Sequence, residues 1–447
     1  MTIKDLLIIG DGFSAAVALV HLLRQGIDSQ SISILGKRTL GRGNAYDCVS
    51  PAFRLNVRED LPIIFSEDPL HFARWAKEHI NDPQAKTSAG YFYRRSDFGA
   101  YMSELVHHQL SGRTINQIQG EAQRITGSDG QWRVELKTGE RIDAKAIILA
   151  TGNAPPTWPC TLRVEETSNH LTLTENPWLG DYLHRIPAKD SVLLLGGGLT
   201  ALDAINGLVE LGHQGKVFVI SPRAIFPPSQ ASWTRTKEPE WPNPMNPARL
   251  VRFMRHYLPN TPSDQSEWQC AWEELRPDLN RIWQGFNPHQ RRILIKRFGW
   301  LWNLYRFRAS PQTIAAYHQL RGLQQIEFRC GRANQIAVRD GAIHVTLSQG
   351  EVVRGQHLIN CTGVARDPLL DQMTHTIANP DALKRSIAID SQLAVLDQNG
   401  RAYQSLWMIG PATMGSLGDV IAASAIAKQA EQLAKSIRLN WMVNYHV

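Results

Sequence analysis

The chain has 447 residues, 43% hydrophobic and 20% charged, an ordinary globular composition with room for two or three domains that excludes a disordered chain. No stretch approaches the roughly 18 uninterrupted apolar residues of a membrane span, and Met1 to Asp5 lead straight into an apolar strand without room for a leader, so a soluble cytoplasmic protein is expected. The net charge of +7 has a location, because residues 226–325 hold 14 Lys/Arg against 7 Asp/Glu.

The first predicted strand, Leu6–Ile9, breaks at Gly10-Asp-Gly12-Phe13-Ser14-Ala15 and continues into a helix over Phe13–Gln25, followed by a strand over Ser31–Leu35. A Rossmann turn needs this order: the first glycine for the tight turn, the second for close approach to a pyrophosphate, and a small third residue for helix-on-strand packing. The helix N-terminus then presents unpaired N–H groups to the phosphates. Next come a two-glycine loop, Gly41 to Tyr46, then Leu55-Asn56-Val57, and helices near His71–His79 and Ser96–Leu110. Hairpin signals lead into Ala150-Thr151-Gly152-Asn153, and Pro155, Pro156 and Pro159 mark a linker.

A second apolar run, Val192–Leu195, breaks at Gly196-Gly-Gly198-Leu199-Thr200-Ala201, and its second strand is Lys216–Ile220. Residues 226–325 follow, rich in Pro, Trp and Arg with helical periodicity, and with seven of the thirteen tryptophans. This insertion is expected to build its own small core. Its basic surplus lacks any nucleic-acid motif, so a solvated helix face or a cofactor-facing surface is the expectation. The chain closes with a strand around Leu406–Ile409 and a helix from about Asp419 that should dock on the first domain.

A repeat ties the halves together. Ile125, Asp129, Gly130, Val134, Leu136, Gly139, Glu140, Ile148, Thr151 and Gly152 recur without a gap as Ile336, Asp340, Gly341, Val345, Leu347, Gly350, Glu351, Ile359, Thr362 and Gly363. Each copy reads as a hairpin around Asp-Gly, a turn at Gly-Glu and a buried strand ending in Thr-Gly. The fold class is therefore α/β, with two Rossmann-like dinucleotide-binding domains of three-layer ββα/βα type. The first is discontinuous, over 1–160 and 355–447; the second spans 161–354 and carries the helical insertion of about 226–325.

With two fingerprints, two Thr-Gly strand ends and Gly410 ahead of Asp419, the chain resembles the two-dinucleotide-binding-domain flavoproteins. That group includes glutathione-reductase-like enzymes, flavin-containing monooxygenases and ornithine/lysine N-hydroxylases. It is more similar still to a bacterial FAD/NAD(P)-binding family related to the flavin-dependent N-hydroxylases. The landmarks are Gly-Arg-Gly-Asn-Ala-Tyr at 41–46, Leu-Asn-Val at 55–57, Ala-Thr-Gly-Asn at 150–153, Gly-Leu-Thr at 198–200 and the run Trp302 to Arg308. The resemblance implies FAD at the first fingerprint, with Gly10, Gly12, Phe13, Ser14 and Ala15 at its pyrophosphate. Gly41 to Asn56 would approach the cofactor, Thr151 and Gly152 would line the crossing strand, and Gly410 and Asp419 would lie by the ribityl chain and flavin ring. A helix N-cap is the other role open to Asp419. The end of the second strand reads Gly36-Lys37-Arg38 where such sites usually carry an acid for the adenosine ribose.

At the second fingerprint, Gly196, Gly198, Leu199 and Thr200 would hold a nicotinamide cofactor. Ser221 and Arg223 stand where an acid would repel a 2′-phosphate, which favours NADPH over NADH. The expected chemistry is hydride transfer from NADPH to flavin and onward to O₂ or an organic acceptor, a monooxygenase of the N-hydroxylase kind acting on a small molecule. A plain NAD(P)H:acceptor reductase and a non-catalytic redox sensor or scaffold are the alternatives. The five scattered cysteines include no Cys-x-x-Cys, which argues against a disulfide reductase. No Phe-x-Gly-x-x-x-His motif is present, no histidines are spaced as metal ligands, and no catalytic side chain is singled out. Tyr91 to Asp97 is a candidate flavin- or substrate-facing segment, and Arg306 and Arg308 are candidates for an anionic substrate or a nicotinamide phosphate. The substrate and the oligomeric state stay open.

Overall fold

The computed structural model describes residues 3–259 and 265–445, with side chains through 439. Two sheets form the scaffold, the first with a parallel centre and antiparallel additions at Ala394–Leu396 and at a hairpin, the second all parallel. In the first, the strands run in the order Ala394–Leu396, Ala402–Met408, Arg141–Leu149, Lys4–Ile9, Ile32–Gly36 and Asn116–Gln119. The hairpin Ala122–Ser128 with Gln131–Leu136 is attached through Arg141–Leu149. The central strand pairs in parallel on both sides, Leu6 with Ile32 and Ala146. Buried on both faces, it reads as a continuous apolar run. The helix Phe13–Arg24 is almost wholly buried because it packs between the sheet and the terminal helix Ala423–Tyr445, with which it shares one core. The terminal helix thus docks where expected but starts four residues later.

The second sheet has the order Thr172–Thr174, His357–Asn360, Val192–Leu195, Val217–Ser221 and Ile326–Cys330, all parallel. A four-stranded sheet beside it carries the second repeat copy, Ala333–Arg339 and Ala342–Leu347, flanked by Val352–Gly355 and Thr161–Val164. In the first copy the last strand runs unbroken for nine residues, from hairpin to central sheet. In the second copy it splits at Gln356, whose Oε1 accepts from the N–H (2.6 Å) and hydroxyl (2.5 Å) of Ser191. One sheet becomes two for that reason.

That split moves the domain boundary. A second domain ending at 354 would leave His357–Asn360 in the first sheet, but the strand pairs with Val192–Leu195. The second sheet therefore includes His357–Asn360. The insertion is also shorter than 226–325. Its helices Pro247–Tyr257, Gln265–Gln284 and Pro288–Arg306 surround a core of Leu250, Leu275, Leu279, Ile282, Phe286 and Leu294. The next helix, Pro311–Gly322, instead returns its Ala316 and Leu320 to the second domain's core.

The two domains are stitched directly. Cys48, Ala52 and Phe53 of the first contribute to the second domain's core, Asn206 Nδ2 donates to the Ala52 carbonyl at 2.7 Å, and Arg95 donates to Asp203 at 2.6 Å. Among the described residues no helix is long and apolar enough to cross a membrane.

Candidate functional site

Both fingerprints fold into the same turn. Gly10 has φ +132° and donates its N–H to the Leu35 carbonyl at 2.8 Å, while Gly196 has φ +124° and donates to the Ile220 carbonyl at 2.9 Å. A Cβ on Gly10 would stand 2.2 Å from the Ala150 carbonyl oxygen, and one on Gly196 would stand 2.3 Å from that of Cys361. Ala150 and Cys361 are themselves partners in the internal repeat, so glycine is required twice by one crossing-strand contact. Gly12 and Gly198 are both extended, with φ −88° and −98°. Neither following helix has a side-chain cap or an acid in its first turn, so their N–H groups stay available to an anion. Ala15 and Ala201 are fully buried where helix meets strand.

The surroundings differ. At the first site the short helix Gly43–Tyr46 lies against the turn, with the Gly43 Cα 3.4 Å from where a Gly12 Cβ would stand. Gly41 donates to the Asp11 carbonyl at 2.9 Å, and Asn44 Nδ2 donates to the Asn153 carbonyl at 3.3 Å. Phe13 packs edge-on to Tyr46. Ser14 is buried beneath Gly410, a Cβ of which would meet the serine Oγ at 2.6 Å. Gly10, Gly12, Phe13, Ser14, Ala15, Gly41, Thr151, Gly152 and Gly410 are thus gathered at the C-terminal ends of the first sheet. At the second site nothing lies within 4 Å of a Cβ on Gly198. The first cradle is walled and the second is open.

Asp11, the residue between the first two glycines, explains the missing acid at the second strand's end. Its Oδ2 accepts from the N–H groups of Lys37 (2.8 Å) and Arg38 (2.9 Å). Gly36 makes room for it, since a Cβ there would stand 2.5 Å from the Asp11 Cβ. A carboxylate therefore occupies this corner from the fingerprint side. The signal was the coincidence of Asp11 with a strand ending in glycine.

At the second site the Ser221 hydroxyl accepts from the Arg223 N–H at 3.4 Å and is buried. The Arg223 guanidinium lies 3.8 Å over the ring of Trp300, which the insertion supplies. Sequence reasoning did not find this pair, because 77 residues separate its members and nothing local signals it.

Asn56 and Asp419 face the insertion. Asn56 Nδ2 donates to the Arg308 carbonyl at 3.3 Å, and its own carbonyl accepts from Gln230 at 2.8 Å. The Asp419 carboxylate takes Arg306 at 2.5 Å and Arg276 at 3.4 Å. Asp419 precedes the terminal helix by four residues, so the helix-cap role is corrected. Asn280 brackets its backbone, Oδ1 accepting from the Asp419 N–H at 2.6 Å and Nδ2 donating to its carbonyl at 3.2 Å. Trp283 and Arg291 donate to the Gly415 carbonyl, both at 3.3 Å. The insertion therefore lies over the segment Gly410–Asp419. The side chains of Arg306 and Arg308, 8% and 3% exposed, lie in this seam, where Arg308 pairs with Glu273 at 2.8 Å.

The segment Tyr91 to Asp97 is structural at its charged end. Asp97 Oδ2 accepts from the Arg94 N–H at 3.1 Å at the start of the helix Arg95–Gln109, and Arg95 is the bridge to Asp203. Burial pushes the Asp203 carboxyl up to about 6, with Arg95 opposing. Cys361 is a buried thiol pushed well above its ordinary range by burial, hence a packing residue.

Two glycine turns aimed at uncapped helix N-termini, in the two sheets of one chain, define the two-domain Rossmann-like fold of FAD/NADP flavoproteins. Residues 7–154 match the family described as FAD-NAD(P)-binding. A search of curated proteins found no match. Among solved structures, the chain is similar to the ornithine N-hydroxylase of Kutzneria sp. 744, in a complex with reduced FAD, NADP⁺ and L-ornithine (TM-score 0.66, 15% identity, 98% of this chain and 100% of that one). It is similar to the reduced ornithine hydroxylase of Pseudomonas aeruginosa (0.64, 15%, 98% and 99%). A third is the FAD-bound cadaverine monooxygenase of the desferrioxamine pathway of Erwinia amylovora (0.63, 12%, 98% and 95%).

Proposed function

We propose that the chain is an FAD-dependent NAD(P)H oxidoreductase, and specifically a monooxygenase of the N-hydroxylating kind acting on a small amine. The observation that carries this is the pair of matched glycine cradles, one walled and one open, which suits a resident cofactor and an exchanging one. Gly10, Gly12, Phe13, Ser14 and Ala15 would hold the FAD pyrophosphate against the uncapped helix Phe13–Arg24, with Gly41, Thr151, Gly152 and Gly410 around it. Gly196, Gly198, Leu199 and Thr200 would hold the nicotinamide cofactor, and Ser221 with Arg223 its 2′-phosphate. Bound there, the cofactors supply a hydride and a flavin that accepts it and delivers two electrons to O₂ or another acceptor. The protein orients them and excludes water, the insertion covering the segment Gly410–Asp419.

The likeness over nearly the full length of N-hydroxylases favours oxygenation over simple reduction. Anaerobic stopped-flow mixing of the yellow holoprotein with NADPH tests the core of the proposal, with bleaching of the flavin expected. Absence of bleaching would leave a sensor or scaffold. Peroxide released per NADPH, with and without an amine panel, tests the oxygenase. A peroxide yield that no amine lowers, with no hydroxylated product by mass spectrometry, would leave a plain reductase.

A further inference from the structure

The helices Pro247–Tyr257 and Pro288–Arg306 of the insertion begin alike, each with an asparagine followed by a proline. Asn246 Oδ1 accepts from the Arg249 N–H at 2.9 Å, and Asn287 Oδ1 accepts from the Gln290 N–H at 3.0 Å. Leu250 and Leu294 tie the two helices into one small core. Between the helices runs a groove of about 820 Å³. Its apolar lining includes Val251 and Leu294, which lie deep, and Ile293 and Phe298, each 38% exposed. Arg252, Arg255 and Arg297 line it too and are exposed. Val251 and Arg255, Ile293 and Arg297, and Leu294 and Phe298 are each four residues apart, so each helix turns one continuous face to the groove.

Charge and shape narrow the occupant. Neither helix contains an Asp or a Glu, and Arg252, Arg255 and Arg297 have no acidic partner among the described residues. Apolar surface left open beside charge of a single sign marks an interaction site. The guanidiniums stand on both walls, which calls for carboxylates on both sides of an apolar stripe rather than for the single charge of a fatty acid. A third helix laid between the two reaches Val251 and Leu294, whereas a flat bilayer does not enter a concave groove. Phe298 and His256 are the only rings among the described lining residues, too few for a run of stacked bases. A second copy that met this groove with its own would set arginine against arginine.

We propose that this groove docks an acidic amphipathic helix of a partner protein, its apolar stripe on Val251, Ile293, Leu294 and Phe298 and its flanking carboxylates on Arg252, Arg255 and Arg297. The planar fork of arginine suits those carboxylates. The lining runs from Pro247 to His256, about 14 Å of helix or roughly two and a half turns, and so accommodates a short docking helix. The helix Pro288–Arg306 also gives Trp300 to Arg223 and Arg306 to Asp419. Docking therefore places the partner on the element that touches both the second cradle and the segment Gly410–Asp419. The inference goes beyond the redox reading of the chain and does not depend on it.

The test uses the full-length holoprotein and reads binding by fluorescence anisotropy. The probe is a fluorescein-labelled synthetic helix of about 16 residues, roughly 24 Å long, with a leucine stripe flanked by glutamates. One comparator has the same composition scrambled to break the stripe, and the other has glutamine for every glutamate. Saturable binding of the probe is expected, at least tenfold tighter than that of either comparator and weakening as salt rises. Arg252→Gln combined with Arg297→Gln should weaken the probe at least tenfold, and so should Ile293→Asp, which sets a carboxylate on the apolar face. Arg281→Gln should leave the affinity unchanged, because that side chain is 70% exposed, pairs with Asp278 and lies outside the groove. Absence of saturable binding, equal affinity for the scrambled peptide, or equal losses in the groove variants and in Arg281→Gln would overturn the proposal. Should a groove variant fail to fold, the three peptides on the unaltered protein carry the test. Binding of phosphatidylglycerol vesicles or of single-stranded oligothymidylate without binding of the probe would assign the groove to a membrane or to nucleic acid and refute the docking helix. Self-association abolished by Ile293→Asp, without binding of the probe, would assign it to a second copy and refute it equally. Bleaching by NADPH is scored separately, so docking can fail while the oxidoreductase stands, and the reverse.

Discussion

Arg223 gives the most decisive perturbation of the nicotinamide site. Replacing it with alanine removes a guanidinium that sits two residues after the strand Val217–Ser221, with no acid among its hydrogen-bond or ion-pair partners in the described residues. Hydrogen bonds to a charged group are worth about 1.5–3 kcal/mol, so kcat/KM for NADPH should fall roughly 10- to 150-fold while that for NADH changes little. Trp300, 41% exposed with Arg223 3.8 Å over its ring, holds the guanidinium by a cation–π contact. At exposed sites such contacts contribute about 0.5–1 kcal/mol, which makes Trp300→Ala a loss of roughly two- to fivefold. The two residues act through one contact, so the double variant should lose little more than Arg223→Ala alone. Stopped-flow flavin reduction with each nucleotide, paired with calorimetric titration of 2′,5′-ADP against 5′-AMP, supplies both numbers. An unchanged NADPH/NADH ratio in Arg223→Ala would refute the assignment of the 2′-phosphate. Full additivity of the two substitutions would refute the role given to Trp300.

Alanine at Gly10 or Gly196 should separate the two cofactors, because each Cβ would collide with a backbone carbonyl that cannot move aside. Gly10→Ala is expected to purify colourless, and Gly196→Ala yellow but unreduced by NADPH; an absorbance spectrum with and without NADPH decides. His213 is buried with neither ring nitrogen bonded among the described residues, and burial lowers its pKa. Its folded value lies below the unfolded one, so the stability it permits is lost as pH falls through about 6.5. Thermal melts should show His213→Leu at least as stable as the parent at pH 7 and less sensitive to acid, and a large loss at pH 7 would refute this. Asp203 titrates in the opposite sense. Its folded value of about 6 lies above the unfolded value, so the folded state holds the extra proton between about pH 4 and 6 and stability falls as pH rises through that window. Asp203→Asn should flatten that slope in a melting-temperature series from pH 4 to 7, and an unaltered slope would refute the coupling.

What the sequence determined by itself was local. Gly10 and Gly196 sit at turns whose positive φ and close carbonyl contact only glycine tolerates, so the fingerprints had to be visible as letters. The unbroken apolar runs and the Asp-Gly hairpins are likewise short-range patterns, and the repeat showed the two domains to be related before either was seen. Tertiary structure decided whatever depends on partners far apart in the chain. Asp11 reaches across to Lys37 and Arg38, Trp300 underlies Arg223, and Gln356 turns aside to Ser191 and divides one sheet into two. Asp419, which the family resemblance puts by the flavin ring, gives its carboxylate to Arg276 and Arg306. Charge pairing in a buried seam is set by which helices meet there, and no local pattern of residues carries that information.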